Sequence, residues 1–290
     1  MADKKNSRLS APILFAAPQL TVNSGNTAIA DTGQLSTKYR RPFWLDEVRW
    51  GVTAVDDPAT LSPSFAMQTR LRLGRFALSD RFIPLQNYAP LLNDFCESAY
   101  TTSMTAATYV AWIKWKLPKP LYVPAGMTLV SEFFRPAGKT PTSALVDVAY
   151  SARFIPKDAP VPEEVDVPWV TMFTPATGAV FGQSSELDLY NPFQVPLEVQ
   201  RFLAANQDAT VASAYLTVDQ NLVTVMKDSA GTNIIRDFTA TGSAFDINRR
   251  AWTFNKVLAP KERYNITLQA LTGTLNNFNV SIVGSRKERI

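Results

Sequence analysis

Past residue 42, apolar and polar side chains alternate in twos along most of the chain, and that period predicts β-strands with one face in a core and one in water. Leu71 and Leu73 alternate with Arg70 and Arg72. Ile113, Trp115 and Leu117 alternate with Lys114 and Lys116. Residues 44–53, 127–134 and 145–154 are further strands of this kind. In the second half Leu187 and Leu189, then Ile266, Leu268 and Ala270, then Phe278, Val280 and Ile282 repeat the pattern. Residues 216–218, 222–226 and 234–238 are β-branched-rich runs between turn residues. Short strands at this spacing indicate a sandwich or barrel. No long helical pattern alternates with the strands, which argues against a parallel α/β fold. One stretch, 89–100, fits a short helix, because Leu91, Leu92, Phe95 and Ala99 fall at helical spacing.

Two stretches break the alternation. Residues 1–41 are rich in Ala, Ser, Thr, Asn and Gly and read as an extended arm. Residues 155–168 hold Pro156, Pro160, Pro162 and Pro168, which excludes a helix or a central strand there. The resulting division is an arm at 1–41, a first sandwich at 42–155, a linker at 156–168 and a second sandwich at 169–290 with a short basic tail.

The halves match at several points in the same order. Pro42-Phe43 before Glu47-Val48-Arg49-Trp50 parallels Pro192-Phe193 before Glu198-Val199-Gln200-Arg201-Phe202. Trp112 leading to Met127-Thr128-Leu129 parallels Trp252 leading to Ile266-Thr267-Leu268. A repeat of this length gives each half about eight strands, the size of a jelly roll. Trp44 and Trp50, an even number of residues apart on one strand, are expected to share a face, and Trp112 to face away from Trp115.

Composition narrows the chemistry. The 290 residues suffice for two cores, and only 19% are charged. There is no histidine, which excludes Ser-His-Asp and Cys-His triads and the usual zinc and non-haem iron ligand sets. The single cysteine, Cys96, allows no intrachain disulfide. Residues 11–20 are apolar but interrupted by Pro12 and Pro18, too short to span a bilayer and poor as a secretory signal. Gly138-Lys139-Thr140 ends like a phosphate loop, but Phe133 stands where its first glycine belongs and Pro141 follows, so a surface turn is expected. The carboxylate neighbours Asp46-Glu47, Asp56-Asp57 and Glu163-Glu164 point to opposite faces if extended and do not form a glycosidase pair by themselves. Asn265 and Asn279 begin glycosylation sequons inside strands, read as chance matches. No catalytic residue, cofactor or metal site is expected.

The net charge of +4 gathers at the ends, with Lys4, Lys5 and Arg8 at one and Arg286, Lys287 and Arg289 at the other. Solvated termini are the plain reading. Arm contacts from Lys4, Lys5 and Arg8 to nucleic acid or an anionic membrane surface are the sharper one.

An arm, two sandwich halves, a proline-rich connection and no active site together resemble the double jelly-roll major capsid proteins of the adenovirus hexon and tectivirus lineage. The resemblance covers most of residues 42–283. It implies an all-β chain of two tandem eight-stranded antiparallel jelly rolls, and a homo-trimer whose six sandwiches tile a shell beside neighbouring capsomers and other virion proteins. It also implies location in the virion after assembly in the host cytoplasm. Two alternatives stay open: a minor capsid, decoration or spike protein, and a carbohydrate-binding module in which Trp112 stacks on sugar.

Overall fold

Strand Gln68–Leu73 shows how the alternation is used: Thr69, Leu71 and Leu73 are buried while Arg72 is exposed. The computed structural model describes residues 13–31, 41–55, 67–88, 95–103, 106–136, 143–156, 159–173, 184–206, 213–220, 223–227, 248–272 and 278–289.

The first sandwich comprises β1 (Ile13–Ala16), β2 (Leu20–Asn23), β3 (Thr27–Asp31), β4 (Phe43–Val55), β5 (Gln68–Leu73), β6 (Phe76–Ala77), β7 (Ile83–Pro84), β8 (Phe95–Ser103), β9 (Ala106–Val123), β10 (Leu129–Phe134) and β11 (Ser143–Phe154). One sheet runs β1-β11-β4-β9-β8, with β2 also on β11. The other runs β3-β10-β5-β6, with β7 also on β5. The second sandwich comprises β12 (Glu164–Phe173), β13 (Ser184–Tyr190), β14 (Leu197–Asn206), β15 (Ser213–Gln220), β16 (Val223–Lys227), β17 (Asn248–Leu258), β18 (Arg263–Thr272) and β19 (Phe278–Arg289). Its sheets run β12-β19-β14-β17 and β13-β18-β15-β16. Counted from its own first strand, the second sandwich has sheet orders 1-8-3-6 and 2-7-4-5. The first has the same orders when β1/β2 count as one strand, β6/β7 as another, and β8 is an addition beside β9. All strand pairs in both are antiparallel. This is jelly-roll connectivity, twice.

Both central third strands carry a bulge at the same place. Asp46 of β4 is the extra residue against β11, and Gln200 of β14 is the extra residue against β19. The bulges give a residue correspondence between the sandwiches. Asp46 matches Gln200, Ser151 matches Val283, Leu14 matches Val170, and Trp115 matches Trp252. The repeat is therefore structural, but Trp252 is the counterpart of Trp115 rather than of Trp112. The sixth strand differs most: opposite the bulge, β9 inserts residues 117–120, whereas β17 inserts Phe254 and Asn255, Asn255 taking a left-handed φ of 49°.

The bulge also corrects the facing of the tryptophans. An extra residue inverts the alternation, so Phe43 and Leu45 on one side of it and Val48, Trp50 and Val52 on the other all point into the core. Trp44 therefore faces outward, edge-on to Tyr122 at 5.2 Å. Trp50 stacks on Trp115 at 6.2 Å, and both contact the buried ring of Tyr88. The second core is built around Phe202, Phe254 and Tyr264. Burial of each such side chain contributes about 1.5–3 kcal/mol.

Three expectations from the sequence are corrected. Residues 13–31 are not an arm: β1 and β2 pair with β11, β3 pairs with β10, and Val22 is buried. Strands of four or five residues are too short to show a period. Residues 95–100 are strand, not helix, because pairing with β9 overrides the local spacing; 89–94 lie outside the described residues, as do 234–238. The second sandwich begins inside the expected linker, at Glu164, and Pro168 is tolerated because β12 is an edge strand of its sheet.

Candidate assembly surfaces

The sandwiches meet along a seam built mainly from the insert in β9 and the segment 77–88. Lys119, at the crest of the insert, reaches Glu198 at 2.9 Å and Asp166 at 3.2 Å, both on the second sandwich. The bond to Glu198, with help from Asp166, raises the Lys119 pKa despite partial desolvation. Leu78 accepts a hydrogen bond from the Val170 amide at 2.8 Å, Ser79 bridges Val170, and Thr171 donates to Asp80 at 2.8 Å. Val165, Val167, Val170 and Val283 of the second sandwich join the hydrophobic cluster of the first.

Arg286 closes the other side of the seam. Its guanidinium lies 3.8 Å from the centre of the Phe193 ring, donates to Glu288 at 2.6 Å and to the Ala77 carbonyl at 3.2 Å, and its side chain is 3% exposed. Burial lowers its pKa, opposed by Glu288. The expected solvated basic tail is thus corrected: β19 runs to Arg289, and Arg286 is an anchor. Alternation alone could not reveal this, because β19 is buried on both faces from Val280 to Arg286.

A cleft of about 200 Å³ opens beside the seam, lined by Asp80, Arg81, Trp169, Met172, Asp188 and Tyr190 among others. Its carboxylates are already engaged, Asp80 by Arg81 and Thr171 and Asp188 by Arg263. Among the described residues, no group of three His, Cys, Asp or Glu is placed to hold a metal.

The outer face of the first sandwich's β4-bearing sheet is open. Trp112 is 54% exposed, and its six-membered ring lies over Gly51, where a Cβ would come within 2.9 Å of it. As expected, it faces away from the buried Trp115. Leu14 and Leu145 are exposed on the same face. Lys4, Lys5 and Arg8 lie outside the described residues, as do Gly138, Lys139 and Thr140.

No family model and no curated protein matches the sequence. Among solved structures, the crystal structure of the major capsid protein of Sulfolobus Turreted Icosahedral Virus matches with a TM-score of 0.57 at 10% identity, covering 94% of this chain and 96% of that one. A chain in the atomic structure of the same virus matches with a TM-score of 0.57 at 10% identity over 94% of this chain and 90% of that one. The major capsid protein of bacteriophage PM2 aligns with a TM-score of 0.42 at 10% identity over 93% of this chain and 97% of that one. Two sandwiches of identical jelly-roll connectivity, fused along one seam and matched end to end by the first of these structures, give this chain a double jelly-roll fold, which it shares with that virus's major capsid protein.

Proposed function

We propose that this protein is a structural component of a virion, a major capsid protein that acts by self-assembly rather than catalysis. In this reading three copies join into a capsomer of six sandwiches, and capsomers tile the shell. The observation that carries the reading is the seam. Lys119, Val170, Val283 and Arg286 lock two jelly rolls of the same connectivity side by side, giving a rigid tile with repeated surfaces rather than a hinged pair around a site. The engaged carboxylates of the cleft support a structural role for the polar groups there. Negative-stain imaging of the purified protein tests this: hexagonal tiles or shells are expected, and isolated particles the size of one chain at every concentration contradict it.

Within this reading Lys4, Lys5 and Arg8 contact the genome or an internal membrane. Replacing all three by alanine is expected to reduce salt-sensitive binding to nucleic acid or to anionic vesicles. Unchanged binding to both removes that role.

One observation favours a second reading, a carbohydrate-binding module: the indole of Trp112 is exposed and packs over Gly51, a suitable surface for stacking a sugar ring. Glycan-array binding that Trp112→Ala abolishes supports it, and a flat array response removes it.

A further inference from the structure

The correspondence between the sandwiches shows that one surface is covered in the second and bare in the first. On the second, the outer face of β12, β19 and β14 is buried by the first sandwich: Val170 is 0% and Val283 6% exposed. On the first, the matching positions are Leu14, at 59% exposure, and Ser151, half-buried. The covering element has a bare counterpart too. Lys119 and Tyr122 lie at the seam end of β9, and Tyr122 is buried. By the same registers Tyr122 matches Val257 of β17, exposed at 61% and next to the exposed Asn255 and Lys256.

Thus two of the large apolar side chains left in water, Leu14 and Val257, occupy the two halves of a contact that the chain already makes once internally. We infer that the outer face of β1 and β11 in one copy receives the β17 insert of the second sandwich of the next copy, repeating the internal seam between chains. The inference rests on the assembly reading above. A contact between different surfaces is heterologous, so it propagates around a ring.

The partner face differs in polarity in a way that fits a surface that must survive in water before assembly. The bulge residue of the second sandwich, Gln200, donates to Ser285 at 3.3 Å, a neutral pair inside the seam. The matching pair on the first sandwich is Asp46 with Arg153, joined at 2.6 and 2.8 Å. Glu198, which binds Lys119, is matched by Trp44. The repeated contact therefore exchanges the Lys119 ion pairs for an apolar contact of Val257 with Trp44 and Leu14, rimmed by a charged pair that stays satisfied in the unassembled chain.

The test uses the full chain. Leu14→Asp and Val257→Asp are each expected to weaken self-association on the order of tenfold or more, the effect of a buried interface anchor. Thermal unfolding of the single chain should be unchanged, because both positions are exposed. In a Cys96→Ser background, Leu14→Cys mixed with Val257→Cys is expected to give disulfide-linked pairs on oxidation, and neither variant alone should cross-link to itself. Oligomers that tolerate both aspartates and form no mixed cross-link overturn this surface assignment while leaving assembly intact. Self-cross-linking of Leu14→Cys alone overturns it in favour of a two-fold contact. A wild-type chain that stays monomeric overturns the assembly reading and this inference with it.

Discussion

Arg286→Ala separates a buried anchor from a solvated tail. The substitution deletes a guanidinium that stacks on Phe193 at 3.8 Å and donates to Glu288 and to the Ala77 carbonyl. A charge-assisted hydrogen bond contributes about 1.5–3 kcal/mol, and a desolvated cation–π contact about 2 kcal/mol. Burial of the guanidinium, which lowers its pKa, subtracts from that sum. The net expected loss is about 3 kcal/mol, within the range for breaking a buried charged pair. In a chain of this size that corresponds to a fall of about 6 °C in Tm. Arg286→Lys keeps the charge but not the planar stack and should fall between Ala and wild type. Equilibrium denaturation in urea, with calorimetry on the same samples, reads the effect. A loss within about 0.5 kcal/mol, the usual range for surface substitutions, refutes the anchor.

Other substitutions probe the bulge, the seam and its pH dependence. A Cβ on Gly284 would lie 2.5 Å from the Glu198 carbonyl oxygen, so Gly284→Ala forces backbone movement and should cost about 2–3 kcal/mol; Gly51→Ala meets only the indole of Trp112 and should cost less than about 1 kcal/mol, both read by denaturation. Trp50→Ala empties the first core and should cost about 3–5 kcal/mol, well above Trp44→Ala on the outer face; equal losses contradict the inverted alternation. The Lys119 pKa is raised above 10.5 by Glu198 and Asp166. Its contribution is therefore complete below pH 10.5 and disappears as pH rises through the folded value; with the side chain 38% exposed it amounts to less than about 1 kcal/mol. Lys119→Met should remove that alkaline step from a plot of stability against pH. Tyr88, whose pKa is pushed up by burial, should resist ionisation until the chain unfolds, as ultraviolet titration of wild type against Tyr88→Phe will show.

The alternation of Leu71 and Leu73 with arginines, and of Ile113 and Trp115 with lysines, was enough to identify an all-β chain, because each of these strands has one wet face. Strands without that contrast were hidden. Trp169–Val170 of β12 and Val280–Arg286 of β19 are buried on one side by the second sandwich's interior and on the other by the seam, so their patterns carry no period and Arg286 read as tail. Ile13–Ala16 and Leu20–Asn23 are too short to display one. The bulge at Asp46 shifts the phase within β4, which is why Trp44 and Trp50 were expected on one face, and the unequal inserts of β9 and β17 are why Trp252 was matched to Trp112. The repeat was visible in sequence order, but its residue correspondence depends on inter-strand register, which is a property of the partners. The candidate surfaces follow the same logic: Lys119 reads as one more lysine between prolines until the insert places it against Glu198 and Asp166.

The mass of the full-length protein in solution, measured by light scattering over a range of concentrations, tests the central claim most directly. A stable species at three times 32.1 kDa, or larger multiples of it, is the expected result. A mass of 32.1 kDa that does not change with concentration contradicts the account.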